Sequence, residues 1–231
     1  MVSEELDNIS GRARIFLQPI AAPSILGLFG LAGATFIVAA RMVHWFTPSY
    51  NSFLLVPFAA FFGGLAQFLA GMWAYKARDG VATAAHGMWG AFWMAFGILA
   101  TVMARTTTTP LSAGALFPEL GFWFIVLAAI TWVCMGAAAA ENLAMAIVLA
   151  FLAAGSTLCA IGLLAGMEVL LMVAGYLFII CAICAWYTAS ALMLNEAFGR
   201  QIWSLGRSSH AAQTPAVTTG IGEPGVIRGQ A

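Results

Sequence analysis

Apolar residues along this chain fall in long unbroken runs, not in alternation. Six runs cover about 22–40, 52–75, 84–104, 120–140, 143–166 and 169–193. Each approaches the roughly 20 residues that a helix needs to cross the hydrocarbon of a bilayer. They are too long and too continuously apolar for the alternating strands of a membrane barrel, so the pattern predicts six transmembrane helices. Between them the polar stretches are short. The longest, 105–119, is punctuated by Thr106 to Thr109, Pro110 and Pro118.

Composition agrees. Of 231 residues, 62% are hydrophobic and 8% are charged, against about a quarter charged in a soluble domain, which excludes an ordinary soluble globule. The 17 Phe and 8 Trp exclude a disordered chain. The fold class expected is an all-α integral membrane protein, a six-helix bundle. Its expected organisation is an N-terminal segment 1–21, a membrane domain 22–205 and a disordered tail 206–231, rich in Ser, Thr, Gly, Pro and Ala.

Charge sets the expected orientation. With an even number of spans both termini share one side, which would hold Arg12, Arg14, Lys76, Arg78, Arg200, Arg207 and Arg228, against Arg41 and Arg105 on the other. Positive residues favour the cytoplasm, so both termini are expected there. The first 18 residues mix Glu4, Glu5 and Asp7 with Arg12 and Arg14 and lack the pattern of a cleavable signal, so the first run is expected to stay in the membrane of a bacterial-type inner (plasma) membrane. Zero net charge offers nothing to a nucleic acid.

Titratable groups at membrane depth are few. Glu119, Glu141, Glu168 and Glu196 all fall at span ends or in loops. His86 is the one ionisable group clearly inside a span, which makes it either a satisfied structural histidine or a proton relay. Gln67, near the middle of the second run, must find a partner: another helix, or a hydrated route. Trp89 and Trp93 share a face of the third helix with His86, a spacing that suits the core more often than a pore. Ser156, Thr188 and Ser190 are expected to bond back to their own helices. Small residues line up at Gly27, Gly30 and Ala34, and Gly64 and Gly71 flank Gln67 in the same way, which lets helices approach closely. Cys134, Cys159, Cys181 and Cys184 lie in apolar runs, and the CxxC formed by the last two follows no strand, so packing is the expectation, not metal or redox chemistry.

Several chemistries are thereby disfavoured. The chain has no GxSxG, no HExxH, no phosphate loop and no carboxylate pair in one membrane layer, and it lacks a second intramembrane histidine to hold a haem. An enzyme or an ATP-driven pump is not expected, nor any cofactor or metal. Passive permeation, ion-coupled transport and a structural role stay open.

Four stretches carry a resemblance. Phe62 to Gly71, read as FGGxxQxxAG, Gly90-Ala91-Phe92-Trp93 as GxFW, Leu194 to Arg200 as LNExFGR, and Ala22 to Leu28 in place of NPAPLGL together resemble the acetate uptake transporter family, which includes the succinate–acetate permeases. The resemblance runs over about 22–205, with its motifs in order. Ala22 stands where that family has Asn, Ile25 where it has a second Pro, and Ala74 where a Glu often follows the second span. The resemblance implies a homohexamer whose every protomer has its own route for acetate and similar short mono- or dicarboxylates. By position it implies an apolar constriction of Leu31, Trp89 and Leu152, with Gln67 on the route and an entry motif at Pro23, Leu26, Gly27 and Leu28.

Such an apolar ring tolerates a methyl group and penalises a naked anion, because an unpaired buried carboxylate costs several kcal/mol or more. The Gln67 amide, the Trp89 indole N–H or the helix start at Pro23 would have to donate to it, or the acid would have to cross protonated. With no mid-span carboxylate to relay protons, a channel, or cotransport in which the substrate carries the proton, is expected. A pore for a neutral solute such as ammonia or urea is the alternative. A structural or sensory protein is the third reading.

Overall fold

The computed structural model describes residues 21–46, 55–106 and 118–206, together with a two-residue antiparallel ladder pairing Thr218–Thr219 with Ile227–Arg228. The polar segment before Ala21 and most of the chain after Gly206 lie outside the described residues, as does most of the loop that joins the third and fourth runs.

Each apolar run forms a helix: α1 Pro23–Met42, α2 Val56–Ala77, α3 Gly80–Thr106, α4 Leu120–Ala138, α5 Leu143–Ala165 and α6 Glu168–Phe198. All are long and apolar enough to span a membrane. Two ends lie beyond the hydrophobic runs for local reasons. α3 begins at Gly80, not 84, because Asp79 accepts from the Ala82 backbone N–H at 2.8 Å, while the Thr83 hydroxyl donates to the Asp79 carbonyl at 2.7 Å. α6 continues to Phe198 through good helix formers and stops where Gly199 takes the left-handed conformation, φ 60°.

The six helices close into a ring in chain order. α1 packs broadly on α2 and α6, α2 on α3, α4 on α5 and α5 on α6; the seam between α3 and α4 is the thinnest. Small residues make the α1–α2–α3 seams, as the spacing predicts. A side chain at Gly71 would stand 2.6 Å from the Gly87 backbone nitrogen, and one at Gly90 2.5 Å from that of Phe68. Gly30 lies directly against the Phe62 carbonyl, and Gly63 against Ala34. In α2 the stretch Ala59–Ala66 is wound as a π-helix, which widens the backbone just where Gly63 and Gly64 meet α1 and α3. The outward faces carry large apolar side chains such as Phe61, Trp73, Val133 and Ile183, suited to an apolar surrounding.

The segment after α6 folds back as a clasp. Asn195 Oδ1 accepts from the backbone N–H groups of Ile202, at 2.6 Å, and Trp203, at 3.0 Å, while its Nδ2 donates to the Trp203 carbonyl at 2.9 Å. Tyr187 stacks on Trp203 at 5.3 Å between ring centres and donates to the Ser204 carbonyl at 2.8 Å. Beyond these, the carbonyls of Gly206 and Leu205 accept from Leu143 and Ala144, and Asn142 Oδ1 accepts from Met145. The first N–H groups of α5, which have no partner inside the helix, are thereby satisfied.

Candidate functional site

A partly open chamber of about 30 Å³ lies inside the ring. Helices α1, α3, α4, α5 and α6 all contribute to its wall. The lining is almost entirely apolar: Trp89, Phe92 and Phe96 from α3, Phe124 from α4, Leu152 from α5 and Phe178 from α6 among them. By this measure a water needs roughly 10–15 Å³, so the chamber is a space for a very small guest.

An aromatic cluster builds one side. The Phe92 ring lies 5.4 Å from those of Trp89 and Trp93 and 5.5 Å from Phe124, centre to centre, edge to face. Phe92–Phe124 and the hydrogen bond from Trp89 Nε1 to Thr131 Oγ1, 3.0 Å, stitch the thin α3–α4 seam. Thr131 in turn donates to the Leu127 carbonyl at 2.6 Å. The Trp89 N–H, one of the donors expected on the route, is engaged by Thr131 in this conformation.

Of the residues expected at the constriction, Trp89 and Leu152 line the chamber together. Leu31 is buried in the same apolar core but is not part of the lining. The entry motif divides. Pro23 occupies the first turn of α1, Leu28 is buried, Leu26 is exposed, and Gly27 lies under the His86 ring, where a side chain would come within 2.6 Å of that ring.

Gln67 and His86 are brought together away from the chamber, in the seam of α1, α2 and α3. Gln67 Nε2 lies 3.5 Å from His86 Nδ1, the long end of a hydrogen bond. Donation from the amide leaves the ring proton on His86 Nε2. Neither Gln67 Oε1 nor His86 Nε2 has a protein partner, although both residues are at most 2% exposed.

Two further polar atoms share that condition, Thr35 Oγ1 and Trp93 Nε1, in residues 3% and 4% exposed. Both residues contribute to the chamber wall, although neither polar atom is itself accessible from it. Sequence reasoning passed over Thr35 and treated Trp93 only as a motif letter and a core aromatic. The available signal was a hydroxyl in mid-span of α1, a position where most hydroxyls bond back to their own helix. Ser156, Thr157 and Thr188 do so, onto Leu152, Ala153 and Cys184; Thr35 has no such bond.

The cysteines are unpaired thiols, and Cys181 donates weakly to the Val148 carbonyl at 3.4 Å. Cys159 lies in the chamber wall.

Comparison with known proteins gives the same architecture. The model of the GPR1/FUN34/yaaH family matches residues 8–199. The succinate-acetate/proton symporter SatP of Escherichia coli (strain K12) is 28% identical over 190 residues, covering 82% of this chain and 97% of that protein. A protein of Methanothermobacter thermautotrophicus is 26% identical over 192 residues, covering 79% and 89%. The solved structure of the bacterial acetate channel SatP superposes with a TM-score of 0.72 at 26% identity, over 81% of this chain and 100% of that one.

Proposed function

The chain belongs to the GPR1/FUN34/yaaH family, and from that premise we propose that it carries acetate and similar short carboxylates across the inner (plasma) membrane in which it is a multi-pass protein. The observation that carries this reading is the small apolar chamber within a ring of helices that superposes on the whole length of an acetate channel. The Escherichia coli relative is a symporter and the solved structure a channel, which supports transport over catalysis.

The route runs along the ring interior, past Trp89 and Leu152 and the neighbouring Leu31. Gln67 and His86 form a polar step beside the start of α1, near Pro23 and Gly27. The proton travels with the acid. A relay through His86 would need a second titratable group, and among the described residues its one hydrogen-bonded side chain is Gln67. Both termini face the cytoplasm, as the distribution of Lys and Arg supports. The exposed aromatic and aliphatic faces are the surfaces on which protomers assemble into a homohexamer.

The test is labelled acetate flux into liposomes holding the purified protein, with an inward proton gradient imposed or absent, and succinate and urea run alongside. Saturable acetate flux that accelerates with the gradient supports coupled transport, and flux indifferent to it supports a channel. Urea flux exceeding acetate flux would replace this reading with a neutral-solute pore. If Leu152→Ala and Gln67→Leu both fold and leave acetate flux unchanged, the route assigned here is wrong.

A further inference from the structure

We infer that Gly155, itself outside the chamber lining, sets the size of the chamber by seating the Phe178 ring, and thereby sets the longest alkyl group that the route admits. Gly155 is a positioning residue that acts through Phe178. This deepens the carboxylate-transport reading and rests on it.

Three observations converge. First, Leu152, Gly155 and Cys159 fall at i, i+3 and i+7 on one face of α5. The outer two line the chamber, and the space that Gly155 leaves between them is taken by Phe178 of α6. A side chain on Gly155 would stand 2.5 Å from Phe178 Cε1 and 2.7 Å from Cδ1, and its three nearest neighbours would all be atoms of that ring. Second, α6 is pinned on both sides of Phe178. One turn before it, Gly175 lies against the end of α1, where a side chain would come within 2.9 Å of Met42 and 2.8 Å of Val43. One turn after it, Cys181 donates to the Val148 carbonyl of α5 at 3.4 Å. A ring displaced from Gly155 therefore cannot carry its helix away with it. Third, the free space beside Phe178 is the chamber whose wall it forms. Protein interiors are otherwise close-packed, so a displaced ring turns into that space.

The size of the effect follows from the distances. Carbons in ordinary contact stand about 3.5–4 Å apart, so a methyl group at Gly155 drives the ring back by about 1 Å. By the measure in which a water takes roughly 10–15 Å³, a chamber of about 30 Å³ holds roughly two or three groups of that size. A wall that advances by about 1 Å removes room for roughly one of them. The lining that Phe178 shares with Leu152, Phe92 and Phe96 is apolar, so the part of the acid received there is its alkyl group, and the room is counted in methylenes. One methylene more or less in an apolar pocket discriminates about tenfold. The seat therefore acts on propionate and butyrate more than on acetate, whose alkyl group is a single methyl.

The test uses the full-length protein in liposomes and measures labelled acetate, propionate and butyrate flux, each corrected for leak into empty liposomes. Wild type is compared with Gly155→Ala, Phe178→Leu and the double variant, and size-exclusion elution and thermal unfolding in detergent check the fold. Gly155→Ala is expected to lower the propionate-to-acetate ratio of kcat/KM about tenfold, and Phe178→Leu to raise it by a similar factor. In the double variant the smaller side chain makes room for the methyl, so the ratio should return to within about twofold of wild type. A merely structural glycine would lower stability and every flux in proportion and leave the ratio where it was. An unchanged ratio in Gly155→Ala, with robust wild-type acetate flux, would overturn the inference and leave the transport reading intact. A ratio that moves in Gly155→Ala and is not restored in the double variant would overturn it too, because the glycine would then act through another group. If Gly155→Ala alone does not fold, the double variant decides. Folding with a ratio near that of wild type supports the seat, and failure to fold ends it, because the methyl then meets something other than the ring. Absence of wild-type flux for every acid would sink the transport reading, and the inference with it.

Discussion

The clasp after α6 and the centre of the ring are both built around buried or half-buried polar side chains, and they treat them in opposite ways. In the clasp one amide, Asn195, makes three hydrogen bonds, and the carbonyls that follow it close the start of α5. In the centre and the adjoining seam of α1, α2 and α3, Thr35, Gln67, His86 and Trp93 each keep a polar atom with no protein partner, in a part of the molecule that is more deeply buried. Burial makes an unmet hydrogen bond more costly, so the distribution is the reverse of what stability alone would select. The clasp is therefore architecture. The centre departs from the rules that the rest of the fold obeys, as functional sites do.

Loose packing would be a simpler explanation for unmatched groups, and the glycine seams argue against it. Gly71→Val places a side chain where the Gly87 backbone stands 2.6 Å away, and neither backbone can yield. The expected loss is the largest of the series, at or above the upper end of the ~1–3 kcal/mol that overpacking costs. Thermal unfolding in detergent measures it. A Gly71→Val protein as stable as wild type would mean that α2 and α3 are free to part, and that the centre is slack.

Breaking the clasp comes next. Asn195→Leu removes all three bonds at once and should cost about 2 kcal/mol, less than the full sum because water reaches the exposed Ile202 N–H. The apparent KM for acetate in the protein that still folds should not change. A shifted KM would tie the clasp to the route and dissolve the contrast between the two regions.

How much of this the sequence displays differs between the regions in the same way. The spans are legible because hydrophobic length is a property of the sequence itself, and their ends shift only where a cap intervenes, as at Asp79 and Gly199. The motif Leu194 to Arg200 is visible as letters, but its role is not, since Asn195 acts on residues that have no periodicity of their own. At the centre, Trp89 and Leu152 are found in one wall, whereas Leu31 is not. The π-winding of Ala59–Ala66 is a change of backbone register that no side-chain pattern encodes, apart from the paired Gly63 and Gly64. What marks Thr35 and Trp93 is a missing partner, and a missing partner exists only once the neighbours are in place.

Thr131 and Thr35 turn the contrast into a pair of matched substitutions. Both are buried threonines in transmembrane helices, 1% and 3% exposed. Thr131 accepts from Trp89 and donates to Leu127. Thr131→Val leaves the Trp89 N–H unmatched and should destabilise by about 1–2 kcal/mol.

Thr35→Val should change stability least, and with the opposite sign. Valine has nearly the same shape as threonine, and at Thr35 the hydroxyl satisfies nothing in the protein. Removing it strips away a desolvation cost without breaking a bond, so the folded protein should gain between zero and about 1 kcal/mol. Parallel thermal melts of the two variants, each against wild type, read the difference directly. Opposite shifts would show that matched and unmatched threonines coexist in one membrane-buried bundle. If Thr35→Val lost as much as Thr131→Val, its hydroxyl would have a structural partner in the resting protein. A more stable Thr35→Val with slower acetate flux would place that hydroxyl on the route, outside the protein's own hydrogen bonds.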